Sequence, residues 1–391
     1  MKRLRIPRPK NPIARIVIVL LAILIAASGY WYAFQTLSYL GHVTTVAAAT
    51  KALPQYGIAA GGDLTSLSQS DLDARMAGIQ ALGVGWVRFD FDWSLIQPDD
   101  PSSYDWGAYD RIVSSARAHN LKVIGIIDFT PGWAASSVCA GSKQCEPASP
   151  TTYANFAAAL SKRYAPQGLH YWEVWNEPNT SQFWQPAPNE TLYISLLKAA
   201  YTAIHKQDRD AIVLTGATAP ASTSAANISP VDFLKGLYKG GAKQYFDAVA
   251  DHPYTFPVPP SYKSDNAWVQ MSSASNSLRS VMIANDDAGK KIWITEFGAP
   301  TGGPGPSADI GNYDLSASPW HVTEALQAYS ITEAIRLYKT YSWAGPILIY
   351  SYQDAGTSTD TNENFFGLVR ADGSHKPAYT AFVQAISAGK N

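Results

Sequence analysis

The chain has 391 residues, with 30 basic and 31 acidic side chains and a formal net charge of -1. Because neither sign of charge prevails, the composition argues against partners that are attracted by a global field, such as nucleic acid. Aromatic residues make up 12% of the chain. The length suits one large α/β domain with a short extra segment.

The N-terminus is the one region with strongly asymmetric charge. Six basic residues lie within residues 1–15, and residues 16–34 form an uncharged apolar stretch. At about 1.5 Å per residue, a helix of this length crosses a hydrocarbon core of roughly 30 Å. The pattern predicts a basic cytoplasmic N-terminus at 1–15, a transmembrane signal-anchor at 16–34 and an extracytoplasmic body at the plasma membrane.

A cleaved signal peptide, which would give a secreted protein, is the alternative for the same region. Small residues suitable for cleavage occur at Val46–Thr50. They lie far beyond the apolar stretch, which is itself long for a signal peptide, so a retained anchor is favoured. Residues 35–54 have no strong pattern and are interpreted as a linker.

From residue 55 onward, short β-branched and aromatic runs alternate with longer amphipathic segments, which is typical of repeated βα units. Eight strands are predicted: Gln55–Gly61, Gly85–Trp93, Leu121–Phe129, His170–Glu177, Ala211–Thr218, Asp247–Tyr254, Lys291–Gly298 and Gly345–Tyr352. Helical patterns follow them, which predicts a (β/α)8 TIM barrel over residues 55–391. A doubly wound sheet is the alternative, but the loop after the first strand lacks the glycine-rich phosphate-binding spacing.

The only two cysteines, Cys139 and Cys145, lie close together in the sequence CAGSKQC. In an exported protein such a pair predicts a small disulfide-closed loop. A metal site would need more ligands nearby than this loop offers.

Two glutamates occupy the ends of predicted strands. Glu177 ends the fourth strand and Glu296 lies near the end of the seventh. In a barrel of this kind the active site lies at the C-terminal ends of the strands, so these carboxyls should converge. Two convergent carboxyls are the groups that glycoside hydrolysis requires.

The motifs around both glutamates strengthen this interpretation. The sequence reads WNEP at Trp175–Pro178 and ITEFG at Ile294–Gly298, with HPY at His252–Tyr254 between them. This combination resembles clan A glycoside hydrolases, most closely family 39, with the cellulase-like family 5 next. The resemblance covers residues 55 to about 388.

The resemblance implies roles for individual residues. Glu177 would be the acid/base and Glu296 the nucleophile of a retaining mechanism, and Asn176 would contact the sugar 2-hydroxyl. Arg88 would keep Glu296 ionised, and His252 and Tyr254 would flank the nucleophile. Asn176, Arg88, His252 and Tyr254 are all predicted to bind substrate. No cofactor and no metal are implied.

Further aromatic and acidic residues are candidates for sugar subsites. They are Trp133, Trp184, Trp320 and Tyr352, together with Asp92, Trp93, Asp128 and Tyr350. Clan A enzymes commonly have a Trp at the end of the eighth strand, which Tyr350 or Tyr352 must replace here. Glu173 shares a strand face with Glu177 and is interpreted as a buried structural carboxylate paired with Arg88 or a similar donor.

These observations predict a retaining, endo-acting β-glycosidase of a cell-envelope or extracellular polysaccharide, anchored to the membrane. An exo-acting β-xylosidase-like enzyme, a transglycosylase and a noncatalytic glycan-binding or envelope-assembly protein are the alternatives. The oligomeric state is left open.

Overall fold

The computed structural model of the chain describes residues 53–313, 315–317 and 319–388. The predicted cytoplasmic segment, the signal-anchor and nearly all of the predicted linker lie outside these residues and stay predictions. Among the described helices, none has the length and apolar character that a membrane crossing requires.

Eight parallel strands form the centre of the fold. They are β1 (Leu53–Ala59), β2 (Val84–Asp92), β3 (Lys122–Asp128), β4 (Tyr171–Asn176), β5 (Ile212–Ala217), β6 (Ala248–Asp251), β7 (Lys291–Ile294) and β10 (Ala344–Tyr350). The strand order closes on itself, because β1 pairs with both β2 and β10. This confirms the predicted barrel. The observed β6 and β7 end before the predicted ones, so Tyr254 and Glu296 lie in the loops beyond them.

Ten α-helices complete the described chain. They are α1 (Gln69–Ala81), α2 (Trp93–Ile96), α3 (Gly107–Ala118), α4 (Pro150–Tyr164), α5 (Glu190–Gln207), α6 (Pro230–Lys239), α7 (Ala267–Ser272), α8 (Leu278–Ala284), α9 (Glu324–Tyr338) and α10 (Pro377–Ser387). Polar side chains begin several of them: Ser68, Ser149, Asn189, Ser229 and Thr323 each accept a hydrogen bond from a backbone N–H of the first turn. Such caps satisfy donors that have no partner within the helix.

The N-terminal end of the barrel is filled by aromatic rings. Trp86 lies edge-on to Tyr171 at 4.6 Å and to Trp293 at 5.5 Å. Glycines in the neighbouring strands make room for them: a Cβ at Gly57 would lie 2.6 Å from the Trp86 Cβ, and one at Gly345 would lie 2.2 Å from the Trp293 ring. This end is therefore a packed core and offers no binding site.

The loop after β7 contains a small sheet that the sequence analysis did not predict, formed by β8 (Ser307–Ala308) and β9 (His321–Val322). Two-residue strands are too short for the alternation of side chains to be recognised in a sequence. The predicted disulfide between Cys139 and Cys145 is present in the loop after β3.

Candidate active site

A cleft of about 500 Å³ opens at the C-terminal end of the barrel. Arg88, Asn176, Glu177, Tyr254, Glu296 and Trp320 all line it, as does Tyr350. His252 is fully buried beside the cleft. The structure thus brings together the residues of the WNEP, ITEFG and HPY motifs with Arg88 of β2.

Arg88 connects the carboxylates beneath the cleft. Its Nε and Nη2 donate to the two oxygens of Glu173 at 2.9 and 2.8 Å, and Nη2 also donates to Asn176 Oδ1 at 3.0 Å. Nη1 donates to Glu296 Oε1 at 2.5 Å. Glu173 is fully buried and accepts a further bond from the Ala217 N–H. The predicted structural pairing of Glu173 with Arg88 is confirmed, and it holds the guanidinium in one orientation.

Glu296 is stabilised in its ionised form by two neighbours. Besides the bond from Arg88, its other oxygen accepts a hydrogen bond from the Tyr254 hydroxyl at 2.6 Å. Burial raises the pKa of Glu296, and both of these contacts oppose that rise. An opposite charge and a donated hydrogen bond both favour a carboxylate over a carboxylic acid.

Glu177 has fewer hydrogen bonds that stabilise its carboxylate form than Glu296 has. Burial raises its pKa, and the strongest opposing contact comes from His252, whose Nδ1 is 2.8 Å from Glu177 Oε1. Burial also lowers the pKa of His252 itself, so the imidazole is neutral near pH 7. The two carboxyls therefore differ in the way that acid/base chemistry requires: Glu177 holds a proton more readily than a carboxyl paired with arginine.

The backbone of β4 explains why two consecutive side chains reach the cleft. Simple alternation from the inward Glu173 would direct Trp175 inward and Asn176 outward. Instead, Trp175 has a left-handed backbone with φ of 72°, and Glu177 has φ of 45°. The alternation is broken, so Asn176 and Glu177 both line the cleft while the Trp175 ring packs against Trp184. Left-handed conformations of non-glycine residues are costly and are concentrated at functional sites.

At the centre of the site, one side-chain atom from each of Glu177, His252 and Glu296 lies within 4.8 Å of the other two. Among the described residues, this is the one group of three His, Cys, Asp or Glu side chains that lie close enough together to hold a metal ion. His252 already contacts Glu177 at 2.8 Å and lies 3.7 Å from Glu296 Oε2. The separation of the two carboxyls is close to that of retaining glycosidases, about 5 to 5.5 Å, and well short of the roughly 6.5 to 9.5 Å of inverting ones.

Three of the predicted subsite residues do not reach the cleft. Trp184 is fully buried, and its Nε1 donates to Glu146. Trp133 packs edge-on against Trp93 and donates to the Gln97 carbonyl. Tyr352 packs towards α1, with Arg75 over its ring, because β10 ends at Tyr350 and the alternation does not continue. Of the two tyrosines, Tyr350 therefore takes the position at the cleft.

The remaining acidic and aromatic candidates differ in position. Asp92 lines a smaller adjoining cleft, and its carboxylate pairs with Lys143. Asp128 and Trp93 are fully buried and do not line the main cleft either. Trp320 lines the main cleft and is 61% exposed, so its ring is open to a ligand.

Several residues that line the cleft were missed by the sequence analysis. They are Asp90, Phe129, Gln182, Phe183, Ala219, Pro220, Phe256 and Glu363, with Gly61 and Gly62. Asp90 carries a usable signal, since it lies two residues after Arg88 on the same strand face. The others lie in loops, where no period relates one residue to the next.

Comparison with solved structures shows the same fold at low sequence identity. A family 39 glycoside hydrolase from Bacteroides cellulosilyticus WH2 is 20% identical with a TM-score of 0.65, over 88% of this chain and 65% of that one. A monomeric beta-xylosidase from Caulobacter crescentus CB15 is 19% identical with a TM-score of 0.60, over 88% and 71%. A GH5_18 protein from Streptomyces cattleya is 16% identical with a TM-score of 0.62, over 86% and 80%.

Sequence comparisons extend this result. Among curated proteins, the chloroplastic beta-amylase 1 of Arabidopsis thaliana is 28% identical over 58 residues, which are 15% of this chain and a tenth (10%) of that protein. The model of the cellulase family, glycosyl hydrolase family 5, matches residues 54–333, which include both motif glutamates. The predicted resemblance to clan A is confirmed, and the chain belongs to glycosyl hydrolase family 5, a family of retaining glycoside hydrolases.

Proposed function

We propose that the protein is an endo-acting retaining β-glycosidase, with Glu177 as acid/base and Glu296 as nucleophile. The observation that carries this proposal is the convergence of the two carboxyls within 4.8 Å, with Glu296 bonded to Arg88 and Tyr254 and Glu177 bonded to His252. The short separation leaves no room for a water between them, as an inverting mechanism would need.

The first step forms a glycosyl-enzyme ester. Protonated Glu177 donates its proton to the glycosidic oxygen while the Glu296 carboxylate attacks the anomeric carbon, so the bond from that carbon to the leaving oxygen breaks. Arg88 and Tyr254 hold the attacking carboxylate in place through bonds to its two oxygens. The resulting Glu177 carboxylate lies against His252, which donates a hydrogen bond to it from Nδ1.

The second step reverses these roles. Glu177 removes a proton from a water molecule, which attacks the anomeric carbon and releases the Glu296 carboxylate. Asn176 contributes in both steps: because its Oδ1 accepts from Arg88, its amide N–H groups are left to donate to the sugar 2-hydroxyl. That bond strengthens as positive charge develops on the ring.

The shape of the site favours internal cleavage of a chain. The main cleft continues into a second, smaller cleft, with which it shares Gly61, Gly62, Phe89, Asp90 and Phe129. A site that extends past the catalytic pair accommodates several sugar units, whereas an exo-acting enzyme needs a closed pocket for a chain end. An exo-acting reaction is the alternative, since one similar structure is a beta-xylosidase.

The proposed location of the protein rests on its disulfide and on the predicted signal-anchor. A disulfide indicates an oxidising compartment, and the predicted signal-anchor would hold the barrel at the outer face of the plasma membrane. We therefore propose a cell-envelope or extracellular polysaccharide as the substrate.

The reaction is tested by trapping the glycosyl-enzyme. A panel of 2-deoxy-2-fluoro glycosides is incubated with the protein, and the labelled peptide is identified by mass spectrometry. Labelling of Glu296, with turnover lost in Glu177→Gln, is the expected result. Full activity of both Glu177→Gln and Glu296→Gln would exclude the proposed mechanism.

A further inference from the structure

His252 lies between the proposed acid/base and a threonine to which the proposed reaction gives no task. The Nδ1 of His252 is 2.8 Å from Glu177 Oε1, and its Nε2 is 3.1 Å from the hydroxyl oxygen of Thr295. His252 and Thr295 are both fully buried. A chain of hydrogen bonds therefore runs from Glu177, at the cleft, to a hydroxyl that solvent does not reach.

Backbone hydrogen bonds hold this chain at the ends of three adjacent strands. The N–H of His252, which follows β6, donates to the carbonyl of Thr218, which follows β5, at 3.0 Å. The N–H of Thr295, which follows β7, donates to the carbonyl of Asp251 of β6 at 3.2 Å. The barrel itself therefore keeps the Thr295 hydroxyl against the imidazole.

The imidazole of His252 is neutral, so its hydrogen occupies only one of the two ring nitrogens. Burial lowers the pKa of His252, and the nearby charge of Arg88 lowers it further, against the opposing effect of Glu177. Oxygens of Glu177 and Glu296 lie 2.8 and 3.7 Å from Nδ1. Since both oxygens are acceptors, they favour the hydrogen on Nδ1, from which it can be donated.

The Thr295 hydroxyl favours the same position for the hydrogen. Among the described residues, His252 Nε2 is its only hydrogen-bond partner. If Nε2 is bare, the hydroxyl donates to it and every hydrogen in the chain is paired. If Nε2 carried the hydrogen, the hydroxyl could only accept, and its own hydrogen would be buried without a partner, which costs free energy.

The position of this hydrogen decides which oxygen of Glu177 carries the acid proton. When Nδ1 donates, Oε1 accepts, and the proton of the carboxylic acid occupies Oε2. This second oxygen has no partner among the described residues and is not one of their buried unpaired atoms, so it is open to the cleft. If Nδ1 were bare, Oε1 would hold the proton and donate it to His252, away from the glycosidic oxygen.

We propose that Thr295 is a positioning residue of the reaction: its hydroxyl donates to His252 Nε2, fixes the hydrogen on Nδ1 and so keeps the proton of Glu177 on the oxygen that faces the cleft. This inference deepens the proposed function and rests on Glu177 as the acid. It gives a task to the buried polar residue that directly precedes Glu296.

The hydrogen on His252 is located by NMR at pH 7, on the full chain with histidine enriched in the NMR-active nitrogen isotope. A ring nitrogen that carries hydrogen is shielded relative to a bare one, and the signals of His252 are those that vanish in His252→Asn. We expect the wild type and Thr295→Ser to carry the hydrogen on Nδ1. Thr295→Val, which keeps the shape but removes the hydroxyl, should show a mixture of both forms.

Kinetics separate a loss of acid assistance from a loss of structure. The probes are the paired 2,4-dinitrophenyl and phenyl β-glycosides of glucose, xylose, mannose and cellobiose. A dinitrophenolate leaves without protonation, whereas a phenolate needs the acid. Thr295→Val should therefore lower kcat/KM by about tenfold or more for the phenyl glycosides and by less than about twofold for the dinitrophenyl ones. Thr295→Ser should match the wild type on both.

Thr255→Val is the matched control. It removes a buried threonine hydroxyl from the loop after β6, one that donates to the Val258 carbonyl at 2.8 Å rather than to His252. Its spectrum and its ratio of the two kcat/KM values should match those of the wild type. Hydrogen on Nε2 in the wild type, or a Thr295→Val variant that keeps either the wild-type spectrum or the wild-type ratio, would overturn the proposal.

The spectrum is read without substrate, so its outcome does not depend on the proposed reaction. If Thr295→Val mixes the two forms but no probe is cleaved and Glu296 is not labelled by the fluoro glycosides, the proposed reaction fails while the hydrogen-bond chain stands. If Glu296 is labelled and Thr295→Val keeps the wild-type spectrum, only the task given to Thr295 is wrong.

Discussion

The two ends of the barrel are built by the same strands and have opposite chemistry. On β2, Trp86 packs against Trp293 at the N-terminal end, whereas Arg88, two positions later, contacts three polar side chains at the other end. The N-terminal end contains rings and glycines that fit closely. The C-terminal end contains carboxyls whose pKa burial raises, including Glu177, Glu296 and Asp251.

This difference separates stability from function along each strand. Burying apolar rings stabilises the fold, whereas burying carboxyls opposes folding unless each is paired. The N-terminal end therefore holds the barrel together, and the C-terminal end retains strained and incompletely paired groups because the reaction needs them. Substitutions at the two ends should affect different measurements.

The largest effect is expected for Glu296→Gln. The amide cannot form the glycosyl ester, so kcat should fall by at least about 10³-fold. The unfolding midpoint should stay near that of the wild type, because Arg88 keeps both bonds to Glu173. Kinetics and thermal unfolding are measured on the same preparations, with Asp210→Asn as the control. A variant that is inactive only because it unfolds would contradict this prediction.

Arg88→Met should lower both the free energy of unfolding and the activity, although Arg88 lies at the C-terminal end of the barrel. The substitution leaves the fully buried Glu173 without its cation, and removing one partner of a buried pair costs roughly 3 to 5 kcal/mol. Activity should fall as well, because Glu296 loses the positive charge that opposes the rise of its pKa on burial. Denaturant unfolding measures the first effect. The double variant Arg88→Met with Glu173→Gln should recover part of the stability but none of the activity.

Trp293→Ala tests the N-terminal end alone. The side chain is 8% exposed and packs against Trp86 and Tyr171. Truncating it should lower the free energy of unfolding by about 3 to 5 kcal/mol. The kcat of the folded fraction should be unchanged at a temperature where the variant remains folded. A loss of kcat in the folded enzyme would show that the two ends are coupled.

Asp251→Asn tests whether a carboxyl at the C-terminal end opposes folding. Burial raises the pKa of Asp251 to about 7, against about 3.9 in an unfolded chain. Because the folded-state value is the higher one, the stabilisation by protonated Asp251 is fully present below about pH 4 and is lost as pH rises through 7.

The asparagine still accepts the hydrogen bond from Thr218 Oγ1 but does not ionise. Relative to the variant, the wild type should lose on the order of 1 to 4 kcal/mol of unfolding free energy between pH 4 and pH 8. Denaturant titrations of both proteins across this pH range provide the measurement. If the unfolding free energies of the two proteins change with pH in the same way, the effect is excluded.

The smallest effect is expected for Trp320→Ala. The ring is 61% exposed, so its removal should leave the unfolding midpoint unchanged. If it stacks on a sugar, KM should rise about fivefold to tenfold, which corresponds to roughly 1 kcal/mol, with kcat little altered. Steady-state kinetics on a polymeric substrate measure this. An unchanged KM would remove Trp320 from the binding surface.

Much of this architecture follows from local patterns. The eight strands are recognisable because their apolar runs are separated by helical periods, and Glu177 and Glu296 are recognisable through WNEP and ITEFG. That Glu173 and Arg88 both point into the barrel also follows, since the period of two along β2 and β4 directs both side chains inward.

Other features depend on contacts between distant segments. Nothing in the sequence indicates that Trp184, in the loop after β4, is fully buried, or that the loop carrying Glu363 returns to the cleft. Trp175 and Tyr352 likewise depart from the alternation because the backbone turns at the strand ends.

The sequence by itself thus determined the barrel, the convergence of Glu177 and Glu296 and the disulfide, because short-range periodicity and short motifs specify them. Only the tertiary structure decided which loop residues surround the pair and line the cleft. Loops have no repeating geometry, so their side chains acquire a position only when the whole barrel closes.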